Sequence, residues 1–315
     1  MKLQSKKSLF LMLFGIFAVL FSSTVYCQNQ FRKMNDFDGD GKADYAVTRN
    51  VGGQKVWYIL QSTNGFTYSV FGLDTDEVVA GDYDGDGKFD TAVFRKENAG
   101  TNLYNYYWWI QRSRDGFGGF PFSPGIPTSQ NWVPVQQVYN NSGKTNIATK
   151  PIGASFIWVY QLDRNNISYS IPSAELIKTG DVSGDGMADL SSFDPNTHFV
   201  KTRNFGGTAT QQTYFGDAGD VFYPADFDGD GRGEIALWRP STGMWWYIKS
   251  SDNTVNGVNW GISGDVPVPA DYDGDGKTDQ AIWRAGAQSY FWVNGSQNGI
   301  FSVAWGIASD SVVKY

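Results

Sequence analysis

Histidine and cysteine are nearly absent from these 315 residues: each occurs once, as His198 and Cys27. One cysteine gives no disulfide framework, no thiol pair and no cysteine-based zinc spacing. One histidine gives no imidazole cluster, and in the repeats described below His198 aligns with Trp57, a packing position rather than a catalytic one. No Gly-x-Ser-x-Gly elbow occurs. Basic stripes are missing, which argues against a nucleic-acid partner. Helical periodicity is missing beyond the first segment, which argues against an α or α/β fold.

Only that first segment is strongly apolar. Lys2, Lys6 and Lys7 precede the run Leu9–Phe21, followed by the small-residue stretch Ser22–Cys27. This is the pattern of a cleaved signal peptide over 1–27, with the run too short to span a membrane comfortably. The expectation is one mature domain, 28–315, that is secreted or at the cell surface, has no membrane span and is monomeric. Setting the three leader lysines aside, 22 of the 25 basic residues face 32 acidic ones, a charge of −10.

Nineteen of those acids sit in five nine-residue loops of the form D-x-D-G-D-G-x-x-D. They start at Asp36, Asp82, Asp181, Asp226 and Asp271. Four carboxylates so close together repel one another unless a cation intervenes. The spacing suits Ca²⁺, which takes 6–8 oxygens in flexible geometry. Positions 1, 3, 5 and 9 offer side-chain oxygens: Asp36, Asp38, Asp40 and Asp44; Asp82, Asp84, Asp86 and Asp90; Asp181, Ser183, Asp185 and Asp189; Asp226, Asp228, Asp230 and Glu234; Asp271, Asp273, Asp275 and Asp279. Position 7 (Lys42, Lys88, Met187, Arg232, Lys277) offers its backbone carbonyl, so that its side chain is free to vary. An EF-hand is excluded because position 12 is Val47, Val93, Leu237 or Ile282 instead of glutamate, and the flanks are β-rich. About five ions are expected, with Ser183 weakening the loop at 181.

The loops recur at intervals of 45 or 46 residues, and the 99-residue gap from 82 to 181 holds two units. The missing loop falls at Val138–Asn146, where Val138, Asn140, Ser142 and Asn146 replace the acids; it keeps the turn and loses the metal. The six units therefore start near 36, 82, 138, 181, 226 and 271. Each carries four short strands, with the loop between strands one and two. This grammar predicts an all-β chain, a β-propeller of six four-stranded blades. The chain stops where a further loop would begin, so the C-terminal strand is expected to close the ring on the first blade, with residues 28–35 as adaptor or competitor.

These loops, together with Phe71-Gly72, Phe215-Gly216, Trp260-Gly261 and Trp305-Gly306, resemble the FG-GAP/VCBS repeats, found also in the integrin α-chain propeller. The resemblance covers essentially 30–315. It implies a secreted, Ca²⁺-stabilised propeller used for binding or adhesion. Integrin propellers have seven blades against six units here, and no Arg-Gly-Asp occurs, so integrin-like signalling is not implied.

A ligand site is less legible. The second unit is longer than the others, and its insertion Lys96–Tyr107 should stand on the face opposite the Ca²⁺ loops. Tyr104, Tyr106 and Trp108 are the candidate ligand-binding residues there. The pairs Trp57-Tyr58, Trp108-Trp109, Trp246-Tyr247 and Phe291-Trp292 read as equivalent strand-three positions, mainly inter-blade core, with sugar-stacking platforms as the alternative where a ring reaches a rim; Trp238 and Trp283, each followed by arginine, are the next candidates for either role. The reading is a non-enzymatic extracellular module for a protein or glycan. The alternatives are a Ca²⁺-stabilised lectin and, behind it, a polysaccharide-active enzyme using paired carboxylates.

Overall fold

The computed structural model describes residues 34–122, 128–140, 142–153, 156–160, 167–170 and 177–314. The predicted leader and residues 28–33 lie outside them. Among the described residues the strands form six antiparallel sheets of four. The first joins Ser311–Val312 to Tyr45–Val51, Gln54–Gln61 and Gly65–Leu73. The second holds Glu77–Val78, Thr91–Gly100, Leu103–Arg112 and Gly116–Phe122. The third holds Trp132–Pro134, Ile147–Pro151, Phe156–Tyr160 and Ile167–Ser170, and the fourth Ile177–Gly180, Asp189–Asp194, Phe199–Arg203 and Gln211–Tyr214. The fifth runs Val221–Phe222, Ile235–Arg239, Met244–Ile248 and Val255–Asn259; the sixth runs Val266–Pro267, Gln280–Arg284, Tyr290–Gly295 and Gly299–Ala304. Among the described residues no helix is long and apolar enough to cross a membrane.

The middle strands are apolar on both faces, so each sheet needs a neighbour on either side. The buried clusters supply them in a cycle. Trp57 and Ile59 meet Ala80 and Val93; Trp108 and Ile110 meet Ile147; Ile157 meets Leu190. Val200 meets Phe222 and Leu237, Trp238 and Tyr247 meet Ile282, and Phe291 and Val293 return to Tyr45 and Val47. The cycle makes the arrangement a β-propeller.

Closure is made by the C-terminal strand. Val312 pairs with Val47, Ser311 pairs with Thr48, and the Val313 N–H donates to the Ala46 carbonyl at 3.0 Å. Beside this pairing Arg49 donates twice to Asp310, at 2.6 and 2.9 Å. The same bidentate pair recurs as Arg95–Asp76, Arg239–Asp220 and Arg284–Asp265. In each, the aspartate just before a sheet's first strand fixes the arginine on its second.

Register corrects two sequence alignments. Arg239 pairs with Met244 as Arg49 pairs with Val56, so the residues equivalent to Trp57-Tyr58 are Trp245-Trp246, not Trp246-Tyr247. Likewise Asp194, which aligns with Arg49, pairs with Phe199, so Val200, fully buried, takes the place of Trp57. His198 lies two residues before it, in the turn, with φ +60°. The hairpin is two residues shorter there than in the first sheet, which linear alignment does not reveal. The His198 Nδ1 lies 2.8 Å from the Gly216 carbonyl, which requires the proton on that nitrogen, and the ring stacks on Tyr214.

Candidate metal centres

Each D-x-D-G-D-G-x-x-D loop is pinched at its neck by a short backbone bridge. Asp90 N–H donates to Gly81 O at 2.8 Å, Glu234 to Ala225 at 2.7 Å and Asp279 to Ala270 at 2.9 Å. Inside the neck the backbone coils around the first carboxylate. Asp36 accepts from the amides of Gly39 and Gly41 at 2.6 and 2.9 Å, and Asp82, Asp181, Asp226 and Asp271 accept in the same way from theirs. The ninth carboxylate closes the loop: Asp44 accepts the Phe37 amide at 2.7 Å and the Ser62 amide at 2.7 Å.

In the loops at 36, 82, 226 and 271 the second half of the cage comes from elsewhere in the sheet and was missed from the sequence. The turn between strands three and four folds over the loop. Ser62 and Thr63 donate hydroxyls to Asp40, Ser113 to Asp86 at 2.8 Å, Ser250 to Asp230 at 2.7 Å and Ser296 to Asp275. These partners stand 20 to 27 residues apart in the chain. The available signal is a Ser, or a Ser/Thr or Ser/Ser pair, within two residues of the end of the third strand in the units at 36, 82, 226 and 271.

The carboxylates converge in four loops. Ligand oxygens lie within 4.8 Å of one another in Asp226/Asp228/Asp230/Glu234, Asp36/Asp38/Asp40, Asp82/Asp84/Asp86 and Asp271/Asp273/Asp279. The loop at 181, with Ser183 at position 3, keeps the same backbone bonds but brings no such trio together. The loop at 138 also keeps the turn: the Asn146 side-chain oxygen accepts the Tyr139 amide at 2.8 Å, as Asp44 accepts that of Phe37. An amide preserves the hydrogen bond and removes the charge.

Burial makes these groups costly as anions. Asp44 and Asp279 are pushed up to about 7 and Glu234 to about 8, first by burial, with neighbouring carboxylates adding to it. Asp90, Asp189 and Asp226 rise to about 6 for the same reasons. Among the described residues no lysine or arginine forms an ion pair with a loop carboxylate; the arginines are engaged elsewhere. A concave, all-oxygen anionic cage without an ion-paired lysine or arginine fits a hard divalent cation. Such a cation would be held by the carboxylates of positions 1, 3, 5 and 9.

The loops are also joined to one another. The carbonyl of position 1 accepts the amide of position 8 of the next loop: Asp36 from Phe89, Asp82 from Thr145, Val138 from Ala188, Asp181 from Gly233, Asp226 from Thr278 and Asp271 from Ala43, all at 2.5 to 2.7 Å. The ring passes through all six loops, including the one at 138. Position 7 adds a second link. Lys88 crosses Gly39, Lys144 crosses Gly85, Arg232 crosses Gly184, Lys277 crosses Gly229 and Lys42 crosses Gly274, where a Cβ would stand 2.6 to 3.1 Å from the crossing chain. These glycines are needed for that passage as well as for their φ near +80°. The side chain at position 7 is therefore not free to vary, because a long stem must lie across the preceding loop.

The candidate ligand residues of the second sheet do not form a rim. Trp108 is fully buried, and Tyr106, 2% exposed, donates its hydroxyl to the Gln130 carbonyl at 3.0 Å. Both point into the inter-sheet core because alternate residues of that strand face it. Only Tyr104 reaches the surface, beneath the Lys96 ammonium at 3.6 Å. Truncating Trp108 to alanine is expected to cost about 3–5 kcal/mol in denaturant unfolding, as for other large core aromatics. A cost below about 1 kcal/mol would place the ring outside the core. Trp238 and Trp283, 1% and 4% exposed, are core as well.

No protein-family model matches the chain, and no curated protein matches it in sequence. Solved structures do match in shape. TolB from Acinetobacter baumannii superposes with a TM-score of 0.56 at 13% identity, over 85% of this chain. The chain spans 64% of TolB's length. A point mutant of the Aleuria aurantia lectin, in complex with Fucα1-6GlcNAc, superposes with a TM-score of 0.50 at 12% identity, over 84% of this chain and 91% of the lectin. At these identities the likeness is one of fold.

Proposed function

We propose that the chain is a secreted, calcium-stabilised β-propeller of the FG-GAP/VCBS kind, with each sheet one of six blades. In this reading it serves as a non-enzymatic extracellular binding or adhesion module. The observation that carries it is the repeated carboxylate cage: largely buried, joined to its neighbours and, among the described residues, not ion-paired with lysine or arginine. Calcium suits a flexible all-oxygen cage better than magnesium, which demands tighter octahedral geometry and keeps its waters. Five loops retain acids, so about five ions are assigned, with the loop at 138 left without one. The ions would bring the mature chain close to neutrality and fasten the blades into a rigid platform. The basic and apolar leader supports secretion.

The lectin reading is favoured by one specific feature, an indole-lined cleft between the fifth and sixth sheets. Metal analysis of the purified mature chain tests the first claim, and glycan and matrix-protein arrays run in Ca²⁺ and in chelator test the second. About five calcium ions per chain and array binding that chelator abolishes are expected. A chain that carries no calcium and binds identically in chelator would overturn the proposal.

A further inference from the structure

Equivalent grooves lie between consecutive sheets, walled by the joint residue of one and the outward aromatic on the third strand of the next. Between the sixth and first sheets the walls are Trp305 and Tyr58, with the Trp305 indole donating to the Tyr58 carbonyl at 3.2 Å. Phe66, 56% exposed, lays its ring against both walls of that groove, 5.6 Å from Trp305 and 6.4 Å from Tyr58. Between the fifth and sixth sheets the walls are Trp260 and Trp292, tied the same way at 3.1 Å. Here register puts Ile300 where Phe66 stands, since Asn294 pairs with Ile300 as Leu60 pairs with Phe66. The Ile300 side chain is 67% exposed and leaves the groove open. The result is a cleft of about 280 Å³ lined by Trp260, Gly261, Ile282, Arg284, Trp292 and Ile300.

Arg284 gives the cleft its polar character. Its Nε and Nη2 each donate to Asp265 at 2.7 Å, and Asp265 also accepts the Ile262 amide at 2.8 Å. The charge is thereby balanced and the guanidinium held rigid, while a guanidinium has five N–H donors and this pair uses two. Gly261 is required beside it: its φ is +136°, and a Cβ would come within 2.3 Å of Trp238.

We propose that this cleft binds one neutral sugar ring of a glycan. An anion is disfavoured because Asp265 already balances the arginine. A wholly apolar ligand is disfavoured because it would bury the remaining arginine donors unpaired. A pyranose meets both demands, with a C–H face for the negative face of an indole and hydroxyls to accept from the guanidinium. The volume lies just under the ~300 Å³ at which pockets for larger ligands begin, which limits the site to a single ring. This inference rests on the reading of the chain as a binding module.

The test is a tryptophan-fluorescence titration of the mature chain, in Ca²⁺, with methyl glycosides of galactose, glucose, mannose, fucose and N-acetylglucosamine. At least one is expected to saturate. Ile300→Phe, which sets a ring where Phe66 stands in the neighbouring groove, is expected to weaken that binding about tenfold or more, ~1.4 kcal/mol. It should leave the melting temperature unchanged, since Ile300 is outside the core. No saturation by any of the five glycosides, or undiminished binding by Ile300→Phe, overturns the site. Matrix-protein binding without sugar binding overturns the cleft and leaves the binding module standing. Silence on sugars and proteins alike removes both.

Discussion

Chelating calcium is expected to lower the melting temperature of the mature chain by about 20 °C, the largest single effect anticipated for this protein. A ligand that binds only the folded loop stabilises by RT ln(1 + [L]/Kd), about 2.7 kcal/mol per site at a hundredfold excess over Kd. Five such sites stabilise by on the order of 10 kcal/mol, and a domain of this size gains roughly 2 °C per kcal/mol. The six backbone bonds between loops should make the loss cooperative, because each position-1 carbonyl that shifts also pulls on the next loop. Scanning fluorimetry in millimolar Ca²⁺, in Mg²⁺ and in EGTA reads the effect directly. Asp271→Asn should reproduce part of the loss, while Asn140→Ala, in the loop without acids, should leave the calcium-dependent shift intact. A chelator shift of only a degree or two would reduce the loops to solvated turns and remove the calcium claim.

The second large effect is an inverted pH dependence in the metal-free chain. Asp44 and Asp279 titrate near 7 and Glu234 near 8 in the folded state, raised by burial and by neighbouring carboxylates. In the unfolded chain such groups titrate near 4. Below pH about 4 both states hold the proton and the full stability is present. Between about 4 and 7 only the folded state holds it, so each group removes about 1.4 kcal/mol per pH unit until the folded pKa is passed. The metal-free protein should therefore be most stable near pH 4–5 and lose stability up to about pH 8, opposite to a protein whose carboxylates are paired. Bound calcium would take the place of those protons. Its affinity should rise from pH 5.5 to 8, and its binding at pH 6.5 should release protons, measurable by calorimetry in buffers of different ionisation enthalpy. Chelated protein that melts higher at pH 8 than at pH 5 would show that the carboxylates are already compensated by the protein.

The amino-acid sequence by itself determined the repeat, the strand grammar, the placement of the loops and the loop at 138 that keeps its turn without its acids. All of these are set within a few residues of chain. Nine consecutive positions suffice to coil a backbone around Asp36 or Asp271, and a period near 45 residues suffices to count the units. Tertiary structure alone decided the rest. The hydroxyls of Ser62, Ser113, Ser250 and Ser296 reach the cages only because a hairpin folds back over each loop. Lys88 crosses Gly39 only because two sheets meet there. Tyr106 and Trp108 go into the core while Trp292 borders a cleft because strand alternation and register, set by hairpin length, choose the face. The open groove beside Trp260 depends on one side chain, Ile300 where the neighbouring groove has Phe66, and only packing between sheets gives that difference a consequence.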